Sequence, residues 1–361
     1  PIIFTMFFAL SILEDSGYMA RAAFIMDRFM RLIGLPGKSF VPMIVGFGCT
    51  VPAILGTRTL ENKMDRYLTI FMTPFMSCGA RLPVYAFFAA VFFGADGGPM
   101  VFSLYLVGIL AAVGTGFLLK RSIFRGEPSH FIMELPPYHT PRPKHIFIHT
   151  WSRLKIFIVR AGKVITLSVV VLGFLNSLGS DGSFGNENTD KSVLSGIGKA
   201  VTPLFTPMGV EKENWPATVA IFSGFFAKEA VVGTLTSMYS QNAASAERSG
   251  PEPFNLGRKI VEAFASVPAG LGEVFSTLLD PLGFGYARGG AAEEAPEPQD
   301  ENLFSVVRKN FPNGRPQAYA YLLFVLLYVP CVAALGAAIK EMGTFLGIFM
   351  AFYTTFIAWN I

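Results

Sequence analysis

Apolar stretches of about 20 residues, the length a helix needs to cross a hydrocarbon core of about 30 Å, recur along this chain. They occupy residues 67–94, 99–119, 160–178, 317–338 and 343–361, with shorter or Gly- and Pro-interrupted runs at 1–13, 40–57 and 216–239. Lipid gives backbone groups no partner outside a helix or a closed barrel, so repeated runs of this length exclude most soluble folds. Of the 361 residues, 52% are apolar and 15% are charged, well below the roughly 25% charged usage of soluble domains. The chain reads as an all-α polytopic membrane protein. It starts at Pro1 and stops at Ile361 inside apolar runs. We read it as truncated at its N-terminal side and open to truncation at the other, since a signal peptide would begin with a basic region.

Charge position orients these runs. Nine basic residues lie between Lys120 and Lys163, against Glu127 and Glu134, so the positive-inside rule places this loop in the cytoplasm. Nucleic-acid binding is the rival reading of a basic stretch, but this one joins two spans. Threading from it puts the turn at 96–98 outside, the segment Thr57–Arg66 inside and the polar loop 179–214 outside. The run 40–57 resists a single crossing. That crossing would place Arg28, Arg31 and Lys38 outside, and Gly46, Gly48 and Pro52 interrupt any helix there. A re-entrant hairpin on the cytoplasmic side satisfies both facts. The run 216–239 reads as a second hairpin, opening outward, before a polar insert near 240–316 whose acids outnumber its bases and whose composition suits partial disorder.

The halves also resemble each other. GFGCTVPAILGTRTL (46–60) lies over SGFFAKEAVVGTLTS (223–237), and Ser77–Ala80 parallels Pro330–Ala333 around Cys78 and Cys331. Opposed hairpins in two halves are the pattern of an inverted-repeat transporter, in which discontinuous helices build the substrate site near the midplane. The expected organisation is a membrane module at 1–125, a basic linker with an amphipathic helix at 126–160 and a second module at 161–361.

The candidate chemistry is a soft cation site. All three cysteines, Cys49, Cys78 and Cys331, lie in apolar segments beside Gly or Pro. Thiolate suits a borderline cation such as Fe2+, whereas Mg2+ and Ca2+ prefer oxygen. The competing reading is packing, the usual role of a free membrane cysteine. Glu229, in the Lys228–Glu229 pair inside an apolar run, is a candidate carboxylate on a cation path or half of a structural ion pair. Met76 offers a thioether near Cys78 or fills space, as do Met19 and Met72. Glu14 and Asp15 form either a vestibule attracting cations or a cap for the next helix. Arg81 shares a helix face with Cys78 and is a candidate counter-charge for Glu229 or Asp15. His145 and His149, four apart, are a weak candidate exit site or ordinary surface residues. Residues 144–160 alternate basic with apolar and aromatic positions, as an interfacial amphipathic helix does.

SILEDSGYMARAAFIMDR (11–28), GLPGKSFVPMIVGFGC (34–49), PFMSCGAR (74–81), MELPPYH (133–139), AKEAVVGTL (227–235) and LYVPC (327–331) resemble, in order and spacing, the permease region of FeoB-type ferrous-iron transporters. The resemblance covers nearly the whole chain. It implies two Gate modules of the kind shared with concentrative nucleoside transporters, Fe2+ as cargo, a bacterial inner-membrane location, and Cys49, Cys78 and Cys331 at Gate positions. It also implies GTP bound only by a separate N-terminal domain, since no GxxxxGK[ST] occurs in this chain. No permanent cofactor is expected. The expected partners are the lipid bilayer and a small FeoA-type cytoplasmic protein, with an oligomer compatible and nucleic acid not expected. The alternative within the same architecture is a nucleoside or organic-solute carrier. That would need amide donors, and the hairpins 40–57 and 216–239 contain no Asn or Gln. An enzyme would need a nucleophile–base pair or an HExxH site, and neither is present.

Overall fold

The computed structural model describes residues 2–124, 138, 140–179, 192–206, 210–211, 213–244 and 298–361. The loop at 125–137, His139, residues 180–191 and most of the expected insert lie outside the described residues. Among those described, every extended element is a helix. The first half holds α1 (Ile2–Asp15), α2 (Tyr18–Ile33), α3 (Phe40–Gly48), α4 (Thr50–Gly56), α5 (Lys63–Met72), α6 (Leu82–Phe88) and α7 (Gly97–Ser122). The second holds α8 (Pro143–Ser177), α9 (Val193–Phe205), α10 (Trp215–Phe226), α11 (Ala230–Ala244), α12 (Pro298–Asn310), α13 (Arg315–Leu327), α14 (Val332–Met342) and α15 (Thr344–Asn360). The amphipathic stretch 144–160 and the apolar run 160–178 are one helix, α8.

Length and surface both suit a bilayer. The 26 residues of α7 rise about 39 Å. The stretches Lys63–Ser122 and Arg315–Met342 pass the length and apolarity of a membrane span. Large apolar side chains face outward: Phe102, Leu110 and Phe117 on α7, and Phe345, Phe352 and Phe356 on α15. A belt this apolar has no stable place against water.

Ionic contacts collect at the two ends of this body. Asp96, just before α7, accepts Arg315 at 3.1 Å, and nearby Arg308 donates to the Val91 carbonyl at 2.8 Å. At the other end of α7, Lys120 meets Asp65 at 3.4 Å. On that side Glu341, its side chain almost fully buried, accepts Arg58 at 2.5 Å and is also paired with Arg66. These contacts tie the α4–α5 connection to the far end of α14.

Both interrupted runs fold back on themselves. In the first, α4 packs on α3, and Lys38 before it reaches Glu61 after it at 3.5 Å. In the second, Tyr239 near the end of α11 donates to Asn214 at the start of α10 at 2.5 Å. Asn214 in turn donates to the Asn310 carbonyl at 2.8 Å. The first hairpin therefore opens toward the Glu341 end and the second toward the Arg308 end. The helices beyond the breaks pack crosswise, α4 on α14 and α11 on α6.

One glycine sets how tightly the second hairpin closes. A Cβ on Gly224 would strike the Val231 side chain and stand 2.6 Å from the Tyr328 hydroxyl, whereas one on Gly233 meets nothing within 4 Å. Seven residues span about 10 Å along a continuous helix, so the approach of Val231 to Gly224 exists only because the chain turns back. Gly224→Ala is expected to cost about 1–3 kcal/mol by overpacking and to lower the thermal unfolding midpoint in detergent, while Gly233→Ala leaves it unchanged or raised. Hairpin direction is tested by single cysteines in a cysteine-free background. Lys38→Cys and Thr59→Cys should react with an impermeant maleimide from one membrane side and Glu213→Cys from the other. Labelling of the first two from opposite sides would remove the hairpin.

Candidate functional site

Each cysteine stands where a helix stops. Cys49 is the single extended residue between α3 and α4, with φ −155° and ψ 129°. The cause is Pro52, which has no N–H for the Gly48 carbonyl, and whose ring would clash with that carbonyl in a continuous helix. Cys78 closes an unwound stretch after a tight turn at Thr73–Phe75, with φ −78° and ψ 157°. Cys331 closes another at the start of α14, with φ −57° and ψ 154°. There Pro330 disfavours helical geometry at Val329. A fourth break separates α10 from α11 at Ala227, φ −146° and ψ 118°. It has no proline, and the charged pair Lys228–Glu229 follows it immediately.

The backbone thus repeats between the halves, Ala227 matching Cys49 and Cys331 matching Cys78. The breaks also meet. Gly79 sits against the Gly48 carbonyl, where a Cβ would stand 3.6 Å from the oxygen, and Gly46 packs on Met76. Cys49 lies within electrostatic reach of Cys78, Cys331 and Glu229, and Cys331 within reach of Cys78. All three thiols are free and half-buried, and Glu229 is exposed. Among the described residues, no three His, Cys, Asp or Glu side chains gather closely enough to hold a metal ion. In this conformation the thiols lie near one another without forming a cage.

Carbonyls freed by the breaks are taken up by two buried cations. Arg81 donates to the carbonyls of Pro74 and Met76, each at 3.3 Å. Lys228 donates to the carbonyl of Val329 at 2.9 Å and lies 3.2 Å from the centroid of the Tyr328 ring. Both side chains are essentially inaccessible, at 1% and 3% exposure. Neither carboxylate expected from sequence is Arg81's hydrogen-bonding partner, and Lys228 engages a carbonyl and a ring rather than Glu229. Sequence reasoning missed this role. The one signal in the sequence was a basic residue inside an apolar run beside an unwound, proline-marked turn.

A cleft of about 860 Å³ lies between α1, α2, the α3–α4 hairpin and α14, and neither the three cysteines nor Glu229 lines it. Val51 and Pro52, just after Cys49, and Val332 and Ala333, just after Cys331, are among its lining residues. Glu14, Lys38, Arg58, Arg153 and Lys340 supply its charged lining. Glu14 pairs with Arg153 at 2.7 Å. Asp15 accepts the Arg142 backbone N–H at 2.9 Å and lies 3.4 Å from His145, whose ring is 4.5 Å from that of His149. These acids therefore tie α1 to α8 at the cleft's margin. Neither caps α2, whose N-cap is Gly17 with no side-chain bond. Met76 is buried in the core and Met19 lines the cleft.

Comparison with known proteins identifies the architecture. The Gate family model, described as nucleoside recognition, matches residues 1–92 and 158–345. The model for the C terminus of ferrous iron transport protein B matches residues 101–153. The chain is 49% identical over 343 residues to the Fe(2+) transporter FeoB of Legionella pneumophila (strain Paris), covering 94% of this chain and 44% of that protein. It is 47% identical over 343 residues to the Fe(2+) transporter FeoB of Escherichia coli (strain K12), covering 94% and 43%. The chain thus spans less than half the length of these relatives. No solved structure matches. From the match over most of its length, the chain belongs to the Gate family.

Proposed function

We propose that this chain forms a path for Fe2+ across the bacterial inner membrane, with the three cysteines as soft, exchangeable ligands and Glu229 as a source of negative charge. The observation that carries the reading is the convergence of four helix breaks, three of them bearing a thiol and the fourth followed by Glu229. Packing alone gives no reason for every cysteine to occupy a break. Fe2+ lies low in the affinity order of divalent metals, so a path for it needs a site that forms and opens. Half-buried thiols that share a region without a cage suit that need. The relatives are named as Fe(2+) transporters, which points to the same cargo.

On this reading the cleft is the route from the site to the cytoplasm, and the α10–α11 hairpin is its counterpart from outside. The chain divides into two Gate-type modules, 1–125 and 161–361, related as inverted repeats across the breaks, with 126–160 as the basic cytoplasmic linker. GTP and a FeoA-type partner, implied by the resemblance, would act on this path from outside it. The organic-solute alternative is disfavoured by the cleft lining, which includes one aromatic ring, Phe7, and no amide side chain.

Serine at Cys49 or Cys331 keeps the size and offers a harder, poorly ionised ligand. Radiolabelled Fe2+ uptake by cells that depend on the intact protein is expected to fall at least about tenfold in each single variant. Cys49→Ser, Cys331→Ser together should lose little more than the worse single, because residues acting as one unit are not additive. Undiminished uptake by the double variant would make the thiols packing residues.

A further inference from the structure

Lys228 holds a cation's place beside the candidate site. Its ammonium, 3% exposed, is seated on the Val329 carbonyl at 2.9 Å and over the Tyr328 ring at 3.2 Å from the centroid. An oxygen dipole and an aromatic face are what a cation seeks in a dry interior. Both belong to the unwound turn that ends in Cys331, and Lys228 lies within electrostatic reach of Cys331 and Cys78. Its neighbour Glu229 is one of the groups within reach of Cys49.

Arg81 does the corresponding job in the other half, but it is fastened differently. Its planar guanidinium makes three contacts to two carbonyls, and a fork of this kind is pre-organised to stay. Lys228 has one hydrogen bond and one ring contact on a flexible four-carbon stem, the more releasable arrangement. Arg81 also stands within electrostatic reach of Lys228, and two like charges in a low-dielectric interior repel. Arg81 thus holds its place by more contacts than Lys228, although its Nε–H finds no acceptor.

The geometry points to Lys228 as a tethered gate cation: its ammonium occupies the seat formed by the Val329 carbonyl and the Tyr328 ring, and a metal ion reaching Cys331 must displace it. This rests on the breaks forming a metal path. A metal arriving with two positive charges meets the ammonium's field until Lys228 swings away, so Lys228 weakens metal binding at rest and keeps the path closed when no metal is present. A purely structural cap would have no such effect on affinity.

The test follows alkylation of Cys331 by a maleimide in the intact, membrane-inserted protein under anaerobic conditions, with Fe2+ as the protecting ion and the Cys331 peptide quantified by mass spectrometry. Lys228→Met removes the charge at similar length. Lys228→Gln removes it while keeping an N–H donor for the turn, and Lys228→Arg keeps it. The expected result is half-protection at about tenfold lower Fe2+ in the Met and Gln variants, with no gain in Lys228→Arg. Equal or weaker protection in the neutral variants, with wild type protected, would make Lys228 a structural cap and leave the metal path standing. Accumulation in the membrane of Lys228→Arg alone among the three variants would likewise make it a structural cap. Absence of Fe2+ protection in every protein would remove the metal path and this inference with it.

Discussion

A helix interrupted inside a bilayer strands backbone carbonyls where no water can satisfy them, and each buried acceptor left alone costs about 1–3 kcal/mol. Cys49, Cys78, Ala227 and Cys331 each stand at such an interruption, and two buried cations take up acceptors beside two of them. Pro330 disfavours helix at Val329, and the chain leaves helical geometry at Met76, φ −69° and ψ 126°, so carbonyls beside both turns lack intrahelical partners. Arg81 and Lys228 donate to the carbonyls of Pro74, Met76 and Val329. With those acceptors satisfied, the turns ending in Cys78 and Cys331 can stay open without collapsing or flooding.

The same constraint explains how the halves interlock. A short hairpin cannot cross a bilayer alone, so α3–α4 and α10–α11 lean on the helices beyond the other breaks. α4 packs on α14 and α11 on α6, which makes each half's hairpin a wall for the other half's unwound turn. The far end of α14 is held to the first half by Glu341 between Arg58 and Arg66. A buried acid with two arginine partners is costly to break on one side only, so this clasp fixes the geometry from which the cleft departs.

Much of this was legible in the sequence because proline and glycine act locally. Gly48 and Pro52 marked the break at Cys49, Pro330 marked the one at Cys331, and the placement of Lys38 on the same side as Arg58 pointed to a hairpin. What stayed hidden depends on partners distant in the chain. Asp15 finds the Arg142 N–H, and no local pattern separates that from capping the next helix. Arg81 was matched in sequence to carboxylates, yet its partners are backbone carbonyls, which carry no residue signature. The break at Ala227 has no proline, and its extended residue lies one position off the alignment of Val51–Pro52 with Lys228–Glu229. The change from the basic stretch 144–160 to the apolar run beyond it does not end a helix, because neither composition opposes helical geometry. Only the environment changes along α8.

Thiols at converging breaks are what a passing metal would meet, and the iron atom itself can report on them. X-ray absorption at the iron K edge, on the intact protein loaded with Fe2+ under anaerobic conditions, reads the first coordination shell directly. A metal path lined by these thiols predicts a sulfur shell at about 2.3 Å, by analogy with zinc thiolates, that disappears when Cys49 and Cys331 are replaced by serine. A first shell of oxygen and nitrogen alone in the unaltered protein would contradict it.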